Sequence, residues 1–208
     1  MSLSLTEVKK DVYQNKIQEY VDFYSNYFNI TLSTKPCLIL VNKHSQFNEI
    51  LSTETPEWQT GYTVFNLVFL LNPEKWETES NHKYSEEKFL ATLKHEICHL
   101  YYRKITKGSN PTWVNEGLAL FLADQLRFRK DVTKFKNFLK FERQNSIGGE
   151  TVYEESGFAI QKLHNKFGKE KLLKFLTEIK NISKLEELPL RFENIYKMPL
   201  SYESFNHL

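Results

Sequence analysis

A chain of 208 residues with 40% hydrophobic, 26% charged and 14% aromatic residues, and only 7 Gly and 6 Pro, has the composition of a folded globular protein rather than a disordered or collagen-like one. Its net charge of +2 gives no bulk electrostatic argument for nucleic acid or an anionic membrane as a partner. The opening segment has no apolar stretch of signal-peptide type, the longest apolar run (VFNLVFLL, 64–71) is too short to span a bilayer, and two cysteines cannot make a disulfide framework, so a soluble cytoplasmic protein is expected.

Taken in chain order, residues 6–28 carry Val8, Val12, Ile17, Val21, Tyr24 and Phe28 at helical spacing. CLILV (37–41) follows Pro36 and is apolar and β-rich, which predicts a buried strand. A short helix is expected over 45–52, then a second strand over 61–71, stopped by Asn72-Pro73. Ser85 can cap a helix whose first turn holds Glu86 and Glu87, where negative charge suits the helix dipole. That helix continues through Phe89, Leu90, Leu93, Ile97 and Leu100 and ends near KITKGSN. Asn110 as cap and Pro111 at the first helical position announce the next one, TWVNEGLALFLADQL. From 131 to about 195 the chain reads as further helices, jointed at SIGGE, FGKE and NIS. Strands in the first half and helices in the second predict an α+β fold. The expected organisation is a single domain over 1–208, with a sheet-containing lobe over about 1–106, a helical lobe over about 107–208, and an active-site cleft between them.

The chemistry-bearing stretch is HEICH (95–99). His95 and His99 stand four apart, so on a helix their imidazoles lie on nearly one face and can converge on one metal ion. Glu96 is placed beside them to take a proton from a water that the metal has made acidic. A catalytic zinc needs a third protein ligand, and the best candidate is Glu116 in WVNEGLALF on the following helix. There Gly117 and Ala119 remove bulk and would let that helix approach the first.

HEICH followed by the glutamate of WVNEGLA resembles the gluzincin metallopeptidases, and especially their compact peptidase MA-like members, the minigluzincins. The likeness covers about residues 60–175. It implies a zincin-like fold, one zinc ion per chain held by His95, His99 and Glu116, Glu96 as general base, and peptide or unfolded-protein substrates. It also implies that Gly61–Leu71 is an edge strand on which extended substrate pairs. In TVYEESGFAIQKLHNKFG the resemblance makes Tyr153 the oxyanion stabiliser, with His164 as an alternative electrophile. Two departures matter. GYTVFN (61–66) places Val64 and Phe65 where gluzincin aminopeptidases have a Met-Glu pair for the substrate's amine, which points to an endopeptidase. Leu120 stands where the thermolysin-like branch has an Asp, so no partner for the histidines is assigned. A non-catalytic zinc-binding or peptide-binding protein keeping the same fold is the alternative.

Other features take plainer readings. Cys98, between the histidines, reads as a small core residue. RFRKDVTKFKNFLKFER (127–143) reads as an amphipathic helix, with Val132, Phe135, Phe138, Leu139 and Glu142 at helical spacing and a solvated basic face, rather than as a nucleic-acid site. RFENIYKMPLSYESFNHL reads as an extended tail that could lie in the cleft and block it.

Overall fold

The computed structural model describes residues 6–7, 11–109, 111–139 and 149–208. They form an α+β protein whose strands, among the described residues, all precede residue 72. The chain divides into two units, Met1–Leu100 and Tyr101–Leu208, and the division falls inside a helix rather than at its end.

In the first unit, β1 (Thr6–Glu7) leads to α1 (Asp11–Phe28), β2 (Cys37–Val41) and α2 (Ser45–Leu51). The predicted helix over 6–28 is thus shorter than expected, because Thr6 and Glu7 pair with Leu40 and Ile39 of β2 instead; Val8 lies outside the described residues. The buried stripe of α1 is Tyr13, Ile17, Tyr20, Tyr24 and Phe28, so tyrosines supply much of its apolar face.

The expected single strand over 61–71 is two strands, β3 (Gly61–Val64) and β4 (Leu67–Leu71), paired antiparallel as a hairpin with Val64 opposite Leu67. Phe65 and Asn66 make the turn. Phe65 takes a left-handed backbone (φ 52°) and is 84% exposed, while the carbonyl of Asn66 accepts from the Cys37 amide at 2.9 Å. Such two-residue loops usually carry Asn-Gly or Gly-X, which is why an apolar run containing Phe-Asn read as continuous. The sheet order is β1-β2-β4-β3, with β2 and β4 parallel. β4 is therefore interior and buried from Val68 to Leu71, as a strand covered on both faces should be. β3, not the whole of 61–71, is the edge.

After α3 (Trp76–Glu79), α4 runs from Glu86 to Thr106. Ser85 caps it as expected, its hydroxyl accepting from the Lys88 amide at 3.2 Å. α1 braces α4 within the first unit. The Tyr24 hydroxyl donates to the Lys94 carbonyl at 3.0 Å, and Tyr13 packs on Phe89 with ring centroids 5.2 Å apart.

The second unit holds α5 (Thr112–Leu122), α6 (Gly149–Ile179), α7 (Leu188–Tyr196) and α8 (Tyr202–Asn206). Pro111 precedes α5 rather than beginning it, its carbonyl accepting from Val114 at 2.9 Å; the Asn110 cap lies outside the described residues. α6 is interrupted at Gly168 (φ 83°, ψ 167°), a backbone that favours glycine, at the joint expected from FGKE. Gly117 on α5 faces α6 so closely that a Cβ there would lie 2.4 Å from the Ser156 carbonyl oxygen. Gly117 in WVNEGLA is therefore required by α5–α6 packing.

Two further readings are corrected here. Residues 129–137 carry no helix, and 140–148 lie outside the described residues. The Glu155 carboxylate of α6, 3% exposed, accepts from the amides of Lys136 (3.0 Å), Asn137 (2.6 Å) and Phe138 (2.9 Å) and from the Asn137 side chain (3.0 Å). Those amides are satisfied by a distant carboxylate in place of a helical ladder. Glu155→Gln keeps an acceptor but loses the charge, and is expected to lower unfolding free energy by about 1–3 kcal/mol in urea melts. The C-terminal stretch is no loose tail either. α8 is capped by Ser201, and Phe205 is fully buried among Trp113, Phe135, Phe138 and Phe192. The Asn206 side chain clasps the backbone of Phe135, accepting from its amide at 2.8 Å and donating to its carbonyl at 3.1 Å.

Candidate metal centre

α4 places His95 and His99 one turn apart on one face, as their spacing requires. Their rings meet edge to face, with centroids 4.7 Å apart and planes at 84°. Among the described residues, one group of histidines, cysteines and carboxylates brings its donor atoms together: His95, Glu96 and His99, with those atoms all within 4.8 Å of one another. His95 is 9% exposed and Glu96 7%, so the group sits in a largely dry environment where charges interact strongly. Two imidazoles at this separation can both serve one metal ion, with the Glu96 carboxylate beside them. Cys98 is fully buried and is not a member of the group.

The edge strand holds the carboxylate. The Thr63 hydroxyl lies 2.6 Å from Glu96 Oε2 and 3.1 Å from the Glu96 carbonyl oxygen. Two residues earlier on the same face of β3, a Cβ on Gly61 would fall 2.6 Å from Glu96 Oε1, so a side chain there would push the carboxylate from its present position. Thr63 and Gly61 went unnoticed in the sequence as site residues. The one signal available was that both fall on the same face of a strand that precedes the HEICH helix by about 20 residues.

The remaining expected site residues belong to the second unit. Glu116 is half-buried on α5 and Tyr153 half-buried on α6. His164, also on α6, lays its ring against Phe121 with centroids 5.0 Å apart. No helix among the described residues is long and apolar enough to cross a membrane.

Comparison of the chain with protein-family models, with curated proteins and with solved structures returned no match.

Proposed function

We propose that this chain is a zincin-like, zinc-dependent metallopeptidase of gluzincin type, acting as an endopeptidase on peptides or unfolded protein. The observation that carries the reading is the grouping on α4, in which two imidazoles and a carboxylate converge. His95 and His99 would hold the ion, and Glu116 is the third ligand that the sequence assigns. A zinc ion held there would supply Lewis acidity to a substrate carbonyl and to water. Glu96 accepts the proton of the attacking water as the new C–O bond forms, and passes it to the leaving amine as the C–N bond breaks. Tyr153 donates a hydrogen bond to the oxyanion. β3 has a sheet neighbour on one side only among the described residues, which suits main-chain pairing with an extended peptide. Val64 and the exposed Phe65 offer no charge to a substrate's ammonium group, which favours internal cleavage.

Metal analysis tests this directly. Protein purified without chelator should carry about one zinc per chain, with much less in His95→Ala, His99→Ala and Glu116→Ala. The parent should cleave quenched peptides blocked at both ends and lose that activity on chelation. A folded parent that cannot be loaded with zinc would reduce HEICH to a piece of helix and leave a peptide-binding module in its place. Retention of zinc by Glu116→Ala alone would remove that residue from the ligand set.

A further inference from the structure

We propose that Thr63 is the positioning residue of this site, fixing the carboxylate of Glu96 so that Oε2 is committed to the Thr63 hydroxyl and Oε1 is the oxygen that takes the proton. The inference rests on the reading of Glu96 as base. A glutamate on a helix surface has three side-chain torsions and would sample many orientations. Here the carboxylate is trapped between two residues of one strand face, with the hydroxyl of Thr63 at 2.6 Å from Oε2 and the bare Cα of Gly61 beside Oε1. Thr63 is 4% exposed, so neither partner of the bond has water as a ready substitute.

The hydroxyl has one proton and two acceptors within reach, Oε2 and the Glu96 carbonyl oxygen at 3.1 Å. It donates to the carboxylate while Glu96 is ionised, since charge-assisted bonds are the stronger. With two acceptors on one residue, the Thr63 hydroxyl ties β3 to both the side chain and the backbone of Glu96, which holds the carboxylate in one orientation. An edge strand that would receive substrate thereby also sets the base.

Thr63→Val keeps the shape of the side chain and removes the hydroxyl; Thr63→Ser keeps the hydroxyl and removes the methyl. In Thr63→Val, kcat should fall about 10- to 100-fold with KM and zinc content unchanged, and Thr63→Ser should recover most of it. A second readout needs no turnover. Thr63→Val should lower Tm by a few degrees in the parent but by clearly less in a Glu96→Ala background, where the carboxylate is gone and only the backbone carbonyl of residue 96 is left to accept. Unchanged kcat in Thr63→Val overturns the proposal. So does a Thr63→Ser variant as slow as Thr63→Val, which would assign the effect to the methyl group. Should the zinc-loaded parent cleave no peptide, the peptidase reading falls by itself; the fastening of Glu96 by Thr63 is then decided by the Tm comparison, and equal losses in both backgrounds overturn it.

Discussion

Glu96→Gln is expected to cleave peptides about 10²- to 10⁴-fold more slowly than the parent while binding zinc as the parent does. The amide has nearly the size of the carboxylate, so it fits the same space beside Gly61. Its oxygen can still accept from the Thr63 hydroxyl, which keeps the side chain where the structure has it. What it lacks is basicity, so the comparison separates proton transfer from placement. Zinc content and steady-state hydrolysis measured on one preparation make the check. Turnover close to the parent's in a zinc-loaded Glu96→Gln would remove Glu96 as the base.

Phe205→Ala should cost about 3–5 kcal/mol of stability, read from urea unfolding. Phe205 is fully buried, with ring centroids 4.8 Å from Phe138, 5.7 Å from Phe192, 5.9 Å from Phe135 and 6.1 Å from Trp113. Truncation to alanine would leave a cavity in the aromatic core of the second unit that rigid neighbouring rings fill poorly. Removal of residues 198–208 should be at least as damaging, and should lower rather than raise any peptidase activity. A truncated protein that melts like the parent and cleaves faster would restore the blocking-tail reading.

The elements the sequence announced are those whose reasons are local. β2 is a continuous apolar run after Pro36, α4 has its serine cap and acidic first turn, and the break at Gly168 follows from glycine alone. What misled had distant causes. Residues 127–143 have a helix's spacing, yet the amides of Lys136, Asn137 and Phe138 go to Glu155, 17 to 19 residues further along the chain. The last residues look extended because Pro199 and polar groups dominate the count, while a single phenylalanine docks them. The site divides in the same manner. His95, Glu96 and His99 were legible because helix geometry converts a spacing of four into one face. Thr63 was not, because its partner is 33 residues away and joins it only through tertiary packing.

The turn at Phe65 and Asn66 also sets an order of assembly. Contacts within a hairpin with so short a loop can form in about 1–10 μs, the timescale of local closure. β2 and β4 pair across 30 residues (37 with 67), and the Thr63–Glu96 bond spans 33, so both must first overcome the entropy of closing longer loops. On loop length alone the β3–β4 turn is expected to close before α4 docks on the edge strand. In that order the helix carrying His95, Glu96 and His99 would meet a strand turn already closed, with the Thr63 hydroxyl in place to receive Glu96.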